Sequence, residues 1–220
     1  MSKYTRVISI LLLTCVLAGC GLLTPVEPQD MPTPRPAETP VPTATPVPTG
    51  TPAADPDAEE YKVYSDLIRA EYGARGMVVI HDTTGPGLGG PITDTLENAG
   101  RELKGLQAAT RQSFVARNDR EYPLIPGSFS LDMPVVLISQ AETAEFFGDK
   151  GAGWDGFYEK YPDAQGMLEL SRVGFNATMD QALVYAGNQA HWLAGVGWLI
   201  LLEKHGEQWE IVSRHMTWIS

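Results

Sequence analysis

The chain has 220 residues, with 27 acidic against 16 basic side chains and a net charge of −11. An acidic surface of this kind argues against nucleic acid as a partner and against adhesion to anionic lipid. Both cysteines, Cys15 and Cys20, lie at the extreme N-terminus, so the remainder has no disulfide, no thiolate metal site and no cysteine nucleophile.

The first element is a leader. Lys3 and Arg6 give a positive start, residues 7–17 are apolar, and Ala18 and Gly19 are small. The apolar run of roughly 11 residues is too short to span a bilayer, which takes about 20. Leu17-Ala18-Gly19-Cys20 resembles the lipobox of bacterial lipoproteins. The resemblance implies removal of residues 1–19 and lipidation of Cys20 by a diacylglyceryl group, with acyl chains such as palmitate. One acyl chain binds only marginally, whereas two or three hold lastingly. The lipid bilayer is therefore an expected partner, and the protein is expected outside the cytoplasm, at the cell membrane or outer cell surface. Without the leader, 14 basic residues face 27 acidic ones, and the net charge becomes −13.

Residues 20–56 form the lipidated cysteine and a tether. From Pro25 to Pro56 proline alternates with Thr, Val and Ala. Proline fixes φ and removes backbone donors, which predicts a solvated polyproline-II segment. At about 3.1 Å per residue it reaches on the order of 100 Å. That length would carry a domain through a wall or surface layer, and the Thr-Pro units are candidate glycosylation sites.

Residues 57–220 remain as a single domain. Asp55-Pro56 suits the start of a helix, and Asp57 with Glu60 fits a capping box. Tyr61, Tyr64, Leu67, Ile68 and Tyr72 then recur at helical spacing until Gly73 ends the run. A buried strand is predicted over 77–80, and a Gly/Pro loop over 82–91. Leu96, Leu103, Leu106, Thr110 and Phe114 mark a second helical stretch, broken at Gly100 or Gly105. A short strand follows over 134–139. Ser139 with Glu142 opens a helix through Phe147, and residues 154–161 form another that Pro162 stops.

The last third reads as four strands, over 167–175, 182–186, 196–203 and 209–219, joined by short links. Such strands form an antiparallel meander. The predicted class is α+β: an antiparallel sheet ending in a four-stranded C-terminal meander, with helices packed on one face. The closing hairpin, Leu201-Leu202-Glu203-Lys204 with Gln208-Trp209-Glu210-Ile211-Val212, resembles those of NTF2-like and cystatin-like folds. Ser171-Arg172-Val173-Gly174-Phe175-Asn176 and Gln181-Ala182-Leu183-Val184-Tyr185 resemble exported bacterial proteins of uncharacterised function. That likeness brings no activity with it.

Residues 85–90 match G-x-G-x-x-G. The dinucleotide fingerprint needs its first glycine directly after a strand, but His81-Asp82-Thr83-Thr84 intervene, so the stretch reads as a surface loop and no cofactor is expected. His81 and Asp82 end a buried strand, where a base and its orienter can collect; they are the catalytic candidates. Arg172 lies in a predicted strand and is a candidate to hold a carboxylate or phosphate, or to pair with Glu169 or an acidic residue of the next strand. His191 and Trp192, in the predicted link 187–195, are candidates to stack a sugar or aromatic ligand. No two histidines have ligand spacing, so no metal is expected. The sequence thus predicts a membrane-anchored lipoprotein displaying a ligand-binding or interaction domain, its partner a small ligand or an envelope protein. The alternative is an extracytoplasmic hydrolase acting on envelope or extracellular substrates.

Overall fold

The computed structural model describes residues 56–73, 76–85, 87 and 91–220, all within a compact unit, Thr49–Ser220. The leader, Cys20, the tether before Pro56 and most of the Gly85–Gly90 motif lie outside the described residues.

Helix α1 spans Pro56–Tyr72. It forms where the apolar spacing predicts it, burying Val63, Tyr64, Leu67 and Ile68. Asp57 and Glu59 in the first turn and Arg69 in the last complement the helix dipole. Gly73 ends it at φ +67°, donating its N–H to the Arg69 carbonyl at 3.1 Å. Asp57 and Glu60 of its first turns also pair with arginines, Asp57 with Arg117 and Glu60 with Arg172.

Strand β1 (Met77–His81) leads to α2 (Ile92–Ala99) and α3 (Ala108–Arg117). The break between these helices contains both Gly100 and Gly105, the latter at φ +85°. After a 3-10 turn at Pro126–Ser128 come β2 (Val135–Ile138), α4 (Gln140–Phe147) and α5 (Gly153–Lys160). Ser139 caps α4 as predicted, its Oγ accepting from Glu142 N at 3.2 Å.

The remaining strands are β3 (Ala164–Leu170), β4 (Gly174–Phe175), β5 (Gln181–His191), β6 (Ala194–His205) and β7 (Gln208–Ile219). The seven-stranded sheet has the order β2-β1-β3-β5-β6-β7, with β4 paired to β5. From β3 onward the path β3-β5-β6-β7 is the expected antiparallel meander.

Three expectations need correction. The sheet is mixed, because β1 runs parallel to both β2 and β3. The predicted strand over 167–175 is two strands, since residues 171–173 leave the ladder between β3 and β4. Helices cover both faces rather than one. Val78, Ile80, Leu168, Leu170, Val184 and Ile200 pack with α1, whereas Val79 and Ile138 meet α5 through Trp154 and Phe157. Leu183, Tyr185, Leu199 and Leu201 lie under Leu96 and Phe114 of α2 and α3. The physical reason is that β1, β5 and β6 are apolar at both parities, so both faces must be covered.

Candidate functional site

The carboxyl end of β1 opens into a cleft of about 220 Å³. It is lined by His81, Asp82, Thr83, Thr84, Gly85, Glu121, Gln140 and Glu169. Parallel strands gather their loops at this end, and ligands commonly bind there.

Pairing fixes the cleft floor. Ile80 is opposite Leu168, so the next step of the ladder sets His81 beside Glu169. Both lie on the face of Val79 and Met167, away from α1. The chain then runs on as an extended segment. Asp82 N donates to the Ile138 carbonyl at 2.9 Å, and Gly85 N to the Leu170 carbonyl at 2.9 Å. Its other side pairs with residues 122–124: Thr84 N donates to the Tyr122 carbonyl at 2.8 Å, and Leu124 N to the Asp82 carbonyl at 2.7 Å. Glu121 is carried to the rim by this second segment. Gln140 comes from the first turn of α4, which the Ser139 cap starts at the end of β2.

The electrostatics are unusual for two adjoining groups. Burial, reinforced by the nearby Glu121 charge, pushes the Glu169 carboxyl up to about 7. Burial pulls His81 down, outweighing the Asp82 charge. Near neutral pH the cleft therefore holds a half-protonated carboxyl beside a neutral imidazole. Among the described residues neither side chain has a hydrogen-bond partner. Gly87, at φ +47°, lies against Glu169; a Cβ there would fall 2.5 Å from Glu169 Oε2 and against the Tyr185 ring. Tyr185 lies on the same face, its Oη accepting from Trp218 Nε1 at 2.8 Å. Its phenol is raised to about 12, chiefly by burial, with Glu169 adding to the shift.

The structure brings His81 and Asp82 together with residues that sequence reasoning did not single out: Glu169, Glu121, Gln140 and Tyr185. A lone carboxylate inside the apolar run Met167-Leu168-Glu169-Leu170 was the available signal for the first of these.

Arg172 lies in a neighbouring cleft, with Thr84 shared between the two. Its Nε donates to both Glu60 oxygens at 3.0 and 2.9 Å, its Nη2 reaches Asp57, and the guanidinium stacks 4.4 Å from the Tyr122 centroid. Glu60 also accepts from Tyr64 Oη at 3.0 Å, Arg117 Nη2 at 3.1 Å and Val173 N at 2.6 Å. The network ties residues 171–173 to α1. The partner considered from sequence, Glu169, is not the one Arg172 uses.

His191 and Trp192 are elsewhere again. β5 and β6 run further than expected, so the link shrinks to the turn Trp192-Leu193. His191 stacks on Trp154 with centroids 6.4 Å apart, and Trp192 meets the Phe147 ring edge-on at 5.7 Å. Neither lines the His81 cleft. Among the described residues no group of three or more His, Cys, Asp or Glu can hold a metal ion.

The arrangement can accept hydrogen bonds through Asp82 and Glu121 and donate one through protonated Glu169. Compared with known protein families, with curated proteins and with solved structures, the chain gives no match.

Proposed function

We propose that the protein is a membrane-anchored lipoprotein of the cell surface or extracytoplasmic face, whose folded domain captures a small polar ligand in the His81–Glu169 cleft. The anchor reading rests on Leu17-Ala18-Gly19-Cys20 behind a short apolar run, and the standoff on the proline-rich tether. One observation supports the ligand reading above others: Glu169 is half-buried in the cleft, raised to about 7 and without a hydrogen-bond partner among the described residues. A half-buried carboxyl with no protein partner has its hydrogen-bonding capacity open to a ligand hydroxyl or amine.

The experiment is a thermal-shift panel of sugars, amino acids and short peptides on the full mature chain in detergent. One class should raise the Tm at pH 7, and Glu169→Gln should remove most of that rise. If no class raises the Tm of the wild-type chain, the capture reading fails.

The titration of Glu169 favours a second reading, an extracytoplasmic hydrolase. A carboxyl poised near 7 serves as general acid, and a neutral His81 serves as base. In that case the ligand found by the panel is turned over, and Glu169→Gln slows turnover by about 100-fold or more.

A further inference from the structure

The β5–β6 turn places Trp192 and Leu193 at the tip of the longest hairpin, and they are 57 % and 84 % exposed. The nearby Ile219, paired with Val196 on the edge strand, is 69 % exposed. The tip is braced. Tyr158 Oη donates to the Ala190 carbonyl at 2.7 Å, and Ser220 N to the Gly195 carbonyl at 3.0 Å. Gly153, at φ +62°, leaves room beneath the indole; a Cβ there would sit 3.1 Å from its ring. A held, exposed Trp with an indole N–H free of any described partner is prepared for contact with something outside the chain.

The charge pattern says what that is. Residues 181–202 contain no Asp, Glu, Lys or Arg, although the chain as a whole carries −11; the strand interiors among them are core, and at the exposed tip 191–194 the one titratable side chain is His191. Charge is what a bilayer interior rejects, and tryptophan is the residue that settles at its interface. The exposed apolar surface is narrow, three side chains. A stable protein interface takes about 800 Å² per partner, and a buried aromatic supplies about 150–250 Å². A narrow uncharged wedge fits lipid better than a protein face.

We infer that the Trp192-Leu193 turn inserts into the interface of a zwitterionic phospholipid bilayer, giving the domain a second, reversible membrane contact. The inference draws on the anchored reading for proximity alone, since a chain held at one surface meets that surface at high effective concentration. The acidic body restricts it to uncharged lipid, because an anionic surface would repel it.

The test uses the mature, lipid-bearing chain in phosphatidylcholine vesicles whose acyl chains carry bromine near the headgroup. Trp192 is the exposed tryptophan, whereas Trp154, Trp198, Trp209 and Trp218 are buried or half-buried. Wild-type fluorescence should be quenched, Trp192→Phe should lose most of that quenching, and Leu193→Ser should shift the inserted-to-free ratio about tenfold toward free. Equal quenching in wild type and Trp192→Phe overturns the inference, as does its absence. Flotation of the vesicles reads the anchor separately. A chain that floats without Trp192-dependent quenching keeps the anchor and loses the tip. A chain that does not float loses the anchor, and the tip is then read with protein added free to the same vesicles.

Discussion

Glu169 has leucines on both sides in sequence, and alternation sends Leu168 and Leu170 to the α1 layer while the carboxyl stays on the opposite face. There it is held near 7 instead of its ordinary 4.5. The native state therefore binds a proton more tightly than the unfolded chain. Stability from this group is fully present below about 4.5 and is lost as the pH rises through about 7. Glu169→Gln should consequently stabilise the fold by about 2 kcal/mol at pH 8 and by almost nothing near pH 4, read from urea unfolding without ligand. A pH-independent difference would mean that the carboxyl is solvated. The position of His81 and Asp82 at a strand end, where the cleft opens, was legible because the end of a buried strand is a local property. Glu169 was not, because its neighbourhood depends on β3 lying next to β1, a pairing between residues far apart in the chain. The same holds for Arg172, whose carboxylate partner Glu60 lies 112 residues away.

Elements were legible in proportion to how local their causes are. α1 announces itself by apolar spacing and a terminal glycine, and α4 by Ser139 three residues before Glu142. The break in the strand predicted over 167–175 comes from long-range bonds instead. Ser171 Oγ accepts from Tyr185 N at 2.8 Å, and Asn118 bonds both the N–H and the carbonyl of Arg172 at 2.8 and 2.9 Å. These contacts replace ladder bonds, and no local pattern encodes them. The two-sided cover was legible in part, since Leu199, Ile200, Leu201 and Leu202 cannot all face one layer. α4 matters beyond its own stability. It carries Gln140 into the cleft at one end and Phe147 against Trp192 at the other. Ser139→Ala removes the oxygen that receives Glu142 N and should cost about 1 kcal/mol in denaturant unfolding. Glycine at the same position should cost only a few tenths. If alanine and glycine were equally harmless, the cap would contribute nothing to holding Gln140 in place.

For the whole molecule, an acidic body and a greasy N-terminus have separate jobs. The described domain contains no cysteine, so its fold owes nothing to oxidation, and the core clusters on both faces of the sheet supply the stability. The sheet also guards its long edge. β7 slips register against β6 between Gly197 and Trp198 and again between Leu201 and Leu202, bulging at Thr217 and Val212. Bulges on an edge strand discourage pairing with a second chain, which suits a protein crowded on a surface. Under the proposed anchoring, retention at that surface would come from the lipid, at about 0.8 kcal/mol per buried CH₂, far more than two exposed side chains at a hairpin tip contribute. Cys20 lies far upstream of α1 in the sequence, so removing its thiol should leave the folded domain untouched. Cys20→Ser should therefore move the protein from the membrane to the soluble fraction and abolish the added mass of the lipid, with the Tm of the domain unchanged. A serine variant that still sediments with membranes at wild-type mass would locate the anchor elsewhere. The tether would then have no fixed end at the bilayer.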